Sequence, residues 1–540
     1  MSYTSLKFLI FVIATILVYF LFPWKKFRWT VLLAASYVFY LFAGYKYVGF
    51  ILFTTISTYL IGLGIEKIAS NSKKYISEHK ANLSREEKKK LKERAKNRKK
   101  GLLALALIVN FGILAFLKYF NFFSGSINDL LGSFGIPFSA PTLHLILPLG
   151  ISFYTFQSMG YLVDVYRETV KPEKNLFKLA LFVSFFPQIV QGPIGIYSDL
   201  AHQLFEPHDF SFERFKHGCE LILWGLFKKM IIADRAVVAI NAVTDSYYSY
   251  NGTTLAFTIV LYSLQLYADF SGGIDISRGV AEIFGISMME NFKRPYFSKD
   301  ISEYWRRWHI SLGNWFKSYL FYPLAMSSLF LNTSKNIKKS KFGSTKAGAH
   351  IAKVLPTSIA SFIVFFMVGV WHGASMKYVA FGVYNGGIIM LAVLLKPVFE
   401  SINEKLHLTA KNIPFMVFRI IRTYILVLVG YVFDVAPSFR ASLHTFKSIL
   451  VDQNFSQGYQ EIQSLGVYKK EYLLLLLGAI FIFIISVIQE RHSETTIRKM
   501  LDKKPFIFRY APVFIGLMAL IVFGVYGSGF NAADFVYMQF

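Results

Sequence analysis

Long apolar runs separated by short basic stretches form the dominant pattern along this chain. The runs are roughly 18–22 residues long, the length of helix that crosses a hydrocarbon core of about 30 Å. They predict membrane helices over 8–22, 29–44, 48–65, 101–120, 143–163, 176–196, 218–234, 254–272, 356–372, 376–396, 414–433, 472–489 and 509–527. Several of these are half-spans or re-entrant segments, for a total of about eleven transmembrane helices. The expected fold is therefore an all-α polytopic membrane protein. It reads as a single integral-membrane domain over 1–540, with no internal repeat and no appended soluble domain. The first run, Phe8–Phe22, lacks a charged leader and an Ala-x-Ala site, so it reads as a retained helix.

The polar stretches carry a second signal. Alternating the spans places Lys25–Arg28, residues 67–100, Arg167–Lys174, Lys228–Arg235, Lys335–Lys353, Lys396–Lys411 and Arg491–Arg509 on one side. All are basic, which assigns that side to the cytoplasm, because short basic loops resist translocation. The N-terminus, the 121–141 and 435–471 loops and the C-terminus then face outside. Within 67–100, Ser84 and Glu87 have the spacing of a capping box that opens a solvated helix. Its lysines and arginines also suit contact with anionic membrane lipids.

Composition narrows the class further. The chain has 540 residues, 54% of them hydrophobic and 17% charged, against about 25% charged in soluble domains. A net charge of +26 would suggest nucleic acid in a soluble protein. Here the positive charge follows the loops between spans, so topology accounts for it and no nucleic-acid partner is expected. A single cysteine, Cys219, excludes an intrachain disulfide and a cysteine-based metal framework.

The candidate chemistry lies in two of the 11 histidines. Most of the others, His79, His202, His208, His350, His407 and His492 among them, fall in polar loops or at helix ends. His309 and His372 are flanked on both sides by membrane-type sequence, and an ionisable side chain there marks a functional site by default. His309 follows Asp300, a candidate N-cap with Glu303 three residues on. A continuous helix from Ile301 would stack Trp305 over His309 and Tyr304 over Trp308, and pair Glu303 with Arg307. A helix so polar and aromatic belongs inside protein or along a water-filled cavity. His372 sits in a small-residue turn, Val370-Trp371-His372-Gly373-Ala374, that allows close backbone approach. Two other readings compete: histidines that only bridge helices by hydrogen bonds, and a zinc site. The wide spacing, with no nearby cysteine or i+4 histidine, makes a poor metal signature. His202, Glu206 and His208 are closer together, but Pro207 and their surroundings suggest an interfacial loop; no metal is expected.

Four blocks resemble the membrane-bound O-acyltransferases, specifically the bacterial branch that includes the membrane subunit of alginate O-acetylation. They are Leu147-Pro148-Leu149-Gly150-Ile151-Ser152-Phe153-Tyr154-Thr155-Phe156-Gln157; Ser184-Phe185-Phe186-Pro187-Gln188-Ile189-Val190-Gln191-Gly192-Pro193-Ile194; Tyr267-Ala268-Asp269-Phe270-Ser271-Gly272-Gly273-Ile274-Asp275, leading through Asn291-Phe292 to Trp305–Leu312; and Trp371-His372-Gly373. They run in family order over about residues 100–400, with extra spans over 414–540. The ending Phe535-Val536-Tyr537-Met538-Gln539-Phe540 is similar to that of the same branch.

The resemblance implies helices around a central funnel with His309 and His372 as the catalytic pair. Gln157, Asp269, Asp275, Trp305 and Arg306 map onto the surrounding polar shell, and with Trp308 and Trp371, which flank the histidines, they are the expected funnel and substrate-binding residues. Three positions depart from the alginate-type pattern: Lys317-Ser318-Tyr319 replaces Arg-Asp-Tyr, Ala325-Met326 replaces Gly-Gly, and Asn385 replaces a further histidine. They leave the acceptor open.

The expected reaction is acetyl transfer from a cytoplasmic thioester, acetyl-CoA, toward a hydroxyl of a surface polysaccharide, with no bound cofactor. The resemblance adds an extracytoplasmic acetyltransferase or esterase-like partner as the receiver of the acetyl group. The expected location is the bacterial cytoplasmic membrane. The alternatives are D-alanyl transfer to teichoic acid and, in another class, transport of a lipid-linked saccharide. A transporter would carry inverted repeats.

Overall fold

The computed structural model describes residues 1–136, 138–409 and 412–526. The ending 535–540 and the last residue of the 509–527 span lie outside them. Among the described residues the secondary structure is helical apart from one isolated antiparallel bridge, Phe292 with Trp308. Seven helices among the described residues are long and apolar enough to cross a membrane: Tyr45–Glu78, Arg85–Ser133, Lys346–His372, Met376–Leu394, Ile413–Val435, Lys469–Arg491 and Phe506–Phe523. Each contains or largely overlaps one of the predicted spans. The chain is a polytopic membrane protein.

The other predicted spans take different forms. The 8–22 run is the shorter apolar helix Leu6–Leu21. The 176–196 run divides into Leu176–Ser184 and Phe186–Ile189, breaking at Phe185. Pro187 falls in the first turn of the second piece, where a missing N–H leaves no helical hydrogen bond unmade.

One topological expectation is corrected. Lys228–Arg235 is not a loop: Phe212–Leu226, Phe227–Ala233 and Asp234–Asp245 follow without interruption, the middle piece widened into a π-helix. Lys228 and Lys229 are fully buried there, so they say nothing about sidedness. The reason is tertiary, since carboxylates on another helix neutralise both.

The chain divides into two compact units, residues 1–222 with 277–289 and residues 223–276 with 290 onward. In the first, Val48–Glu78 and Arg85–Ser133 run far beyond the apolar stretches. The Ser84 hydroxyl accepts from the Glu87 N–H at 3.2 Å, and the Glu87 carboxylate accepts from the Ser84 N–H at 2.8 Å, completing the expected capping box. Lys73 and Lys99, one from each helix, both reach Glu168 at 2.7 Å. They hold its carboxyl well below the usual range, at about 2.

The second unit is built on close helix approach. A Cβ on Gly382 would stand 2.6 Å from the Phe365 carbonyl oxygen, and one on Gly369 would stand 2.4 Å from that of Tyr378. Small residues let helices pack backbone to backbone where lipid supplies no hydrophobic drive. That seam joins Lys346–His372 to Met376–Leu394, the hairpin that carries His372.

Candidate active site

His309 lies where a helix fails to continue. Asp300 caps Ile301–Arg307 as expected, its carboxylate accepting from the Glu303 N–H at 2.8 Å. Arg307 pairs with Glu303 at 2.7 Å and also takes Glu490 through both terminal nitrogens at 3.0 Å. Then the backbone turns: Trp308 is extended, and His309 is left-handed at φ 45°, ψ 54°. Residues other than glycine rarely adopt this conformation, and where they do it clusters at functional sites.

The cause is a neighbouring strand of chain. Residues 291–293 run antiparallel to 307–310: the Lys293 N–H donates to the Arg307 carbonyl at 2.9 Å, and the Ile310 N–H to the Asn291 carbonyl at 3.1 Å. The buried Asn291 side-chain oxygen accepts from the Ser311 N–H at 2.8 Å and lies 3.4 Å from Nδ1 of His309.

This geometry corrects the continuous helix expected from the sequence. Tyr304 does stack on Trp308, rings 5.7 Å apart and 22° from parallel. Trp305 does not cover His309. Its indole N–H donates to Asn385 at 3.2 Å, and its ring packs against Phe365 and Phe381.

His372 ends the Lys346–His372 helix. A Cβ on the following Gly373 would stand 2.4 Å from the Tyr378 ring, the close approach the small-residue turn implies. The His372 ring lies 5.2 Å from Phe381 and 6.0 Å from Tyr378. Trp371 joins the two histidines, its ring 6.1 Å from that of His309 and 5.3 Å from that of His372. Both imidazoles are buried, at 3% and 7% exposure. Residues 63 positions apart thus meet around one indole.

The remaining expected shell residues go to several places. Trp308 is buried against Phe292, ring centroids 4.9 Å apart. Asp269 is fully buried 2.6 Å from Lys229, and Asp275 lies 2.7 Å from Lys228. Arg306 is exposed. Gln157 belongs to the first unit, where its amide donates to the Phe182 carbonyl at 2.6 Å. In that same unit the His208 Nε2 lies 2.7 Å from the Gln203 carbonyl.

Asn291, Phe270, Lys228 and Lys229 carry no motif of their own that marks them as site residues in the sequence. Phe270 presents its ring edge-to-face to His309, centroids 4.8 Å apart at 83°. The available signal was two adjacent lysines inside a predicted span, where an ionisable side chain faces the bundle interior or a polar cavity and takes a partner there.

Two imidazoles behind an aromatic wall are equipped for proton transfer away from bulk water. Imidazole gains and loses a proton near neutral pH, and a buried site strengthens each electrostatic interaction made there.

Residues 99–337 match the profile of the membrane-bound O-acyltransferase family. The chain is 31% identical over 412 residues to a probable alginate O-acetylase of Pseudomonas syringae, covering 76% of this chain and 67% of that protein. It is 29% identical over 411 residues to the peptidoglycan O-acetyltransferase of Helicobacter pylori, covering 71% and 67%. It is 30% identical over 310 residues to the teichoic acid D-alanyltransferase of Bacillus subtilis, covering 55% and 71%.

Proposed function

Because the chain belongs to the membrane-bound O-acyltransferase family, we propose that it passes an acetyl group from a cytoplasmic thioester across the membrane for O-acetylation of an extracytoplasmic polysaccharide. The observation that carries this reading is the meeting of His309 and His372 around Trp371. One imidazole takes the proton of the attacking hydroxyl as its oxygen bonds to the thioester carbonyl carbon. The C–S bond then breaks, and the same proton returns to the departing thiolate. The second histidine orients the first or stabilises the developing oxyanion. Acetyl-CoA is the donor in this scheme, and the exposed Arg306 is free to meet its phosphates. Arg307, engaged by two glutamates, is not.

The fuller architecture belongs to the same proposal: about eleven membrane-crossing or re-entrant segments around a funnel, both termini outside, and an extracytoplasmic acetyltransferase or esterase-like partner that receives the acetyl group. Similarity to alginate and peptidoglycan O-acetylating proteins over more than 70% of the chain supports acetyl over D-alanyl transfer.

The decisive experiment is the O-acetyl content of each surface polysaccharide in a deletion strain. One polymer loses its base-labile acetate and regains it on complementation. Unchanged acetate in every polymer would sink the proposal. Loss of ester-linked D-alanine instead would transfer the assignment to the teichoic acid reading.

Sidedness has its own test. With Cys219 replaced by serine, a cysteine at the exposed Asn97 resists an impermeant thiol reagent in intact cells, whereas one at the exposed Ser456 reacts. The reverse pattern would exchange the donor and acceptor sides.

A further inference from the structure

Lys228 and Lys229 are adjacent, buried, and outside the chemistry described above. They lie in the π-helical stretch Phe227–Ala233. Neighbours in a regular α-helix diverge by about 100°, and a wider turn reduces that angle, so both side chains reach one neighbouring helix, Gly252–Ile283. The two helices are close enough there that a Cβ on Gly225 would stand 2.5 Å from the Gly272 carbonyl oxygen.

The contacts of the two ammonium groups straddle one residue. Lys229 lies 2.6 Å from Asp269 and 2.8 Å from Asp234, all three nearly inaccessible to solvent. Lys228 donates to the Ser271 hydroxyl at 2.8 Å and to Asp275 at 2.7 Å. Between Asp269 and Ser271 is Phe270, fully buried, whose ring sets one side of the His309 imidazole at 4.8 Å.

Stability alone does not account for such a cluster. Buried ion pairs can often be replaced by apolar residues at little cost, and π-bulges recur at functional sites. We propose that Lys228 and Lys229 are positioning residues that clamp the chain on both sides of Phe270 and thereby hold the His309 ring in its working orientation. This rests on the catalytic reading of His309.

The test is a double-mutant cycle on the full-length protein reconstituted with its outward-facing partner, with thioester-dependent acyl transfer as readout. Removing one charge strands its partners, so Lys229→Met is made together with Asp234→Asn and Asp269→Asn, which neutralises the ammonium and both carboxylates together. The triple variant is expected to lower kcat about 10- to 100-fold, the scale of a displacement near 1 Å in a catalytic group, with the donor KM within about twofold. Phe270→Leu, which leaves every charge in place, is expected to cost the same. Combining them is expected to add little, because both act through one contact.

Full kcat in Phe270→Leu overturns the proposal whether or not the triple variant folds. So does a strictly additive cycle. His309→Ala in the same assay separates the two levels: activity in that variant would remove the catalytic reading itself, whereas its loss beside full activity in Phe270→Leu removes only the clamp.

Discussion

Replacing either histidine lowers acyl transfer by about 100- to 10,000-fold, the range lost with a general acid–base group, while the protein still folds. For His309 the choice of substitute matters. Its backbone is left-handed, a conformation that Asn tolerates better than most residues. His309→Asn therefore keeps the turn and removes the base, and His309→Ala serves as its partner. For His372, at a helix end, alanine suffices. The measurement is transfer rate at matched expression, with helical content checked by circular dichroism. The double variant falls little further than the worse single one, because residues that act as a unit lose their effect together. A normal rate in either single variant would remove that histidine from the pair.

Polysaccharide acetylation by the purified protein alone is close to background, and adding the outward-facing partner restores it. This expectation follows from the proposed relay. The 435–471 stretch is too short for a separate catalytic domain, since domains typically begin at about 50 residues. Much of it is taken up by the helices Phe439–Val451 and Phe455–Gln463. The assay uses acetyl-CoA, a de-esterified surface polysaccharide and proteoliposomes, with acetate on the polymer as readout. Efficient acetylation without a partner would defeat the relay and leave the acyltransferase assignment intact.

Both expectations depend on a site that could be read only partly in advance. Local features were legible. The Asp300 cap, the Glu303–Arg307 pair, the Tyr304–Trp308 stack and the Ser84–Glu87 box all appear where their spacing places them. Each depends only on the geometry of a single helical turn, which residue spacing specifies. The pairing of Trp305 with His309 used the same rule and failed, because the rule assumes an unbroken helix. A distant segment, 291–293, competed for the backbone of 307–310 and won it.

Asp269 and Asp275 illustrate the same limit from the side of charge. The family resemblance maps both carboxylates onto the polar shell of the site, and their burial against Lys229 and Lys228 appears only once two helices are set side by side. Those lysines, read as a loop marking the cytoplasmic face, belong to the interior for the same reason.

Run length and spacing mark this as a helical membrane protein, and the motif blocks carry its likeness to an acyl-transferring family and point to His309 and His372. Hydrophobic run length and residue spacing are properties of adjacent positions, and adjacent positions are what a chain specifies directly. Packing between distant segments is what puts His309 on a broken turn, joins it to His372 through Trp371, and pairs two lysines with the residues on either side of Phe270. Those contacts form between segments separated by more than a dozen residues, and each arises because a buried backbone group or charge must find a partner wherever folding brings one.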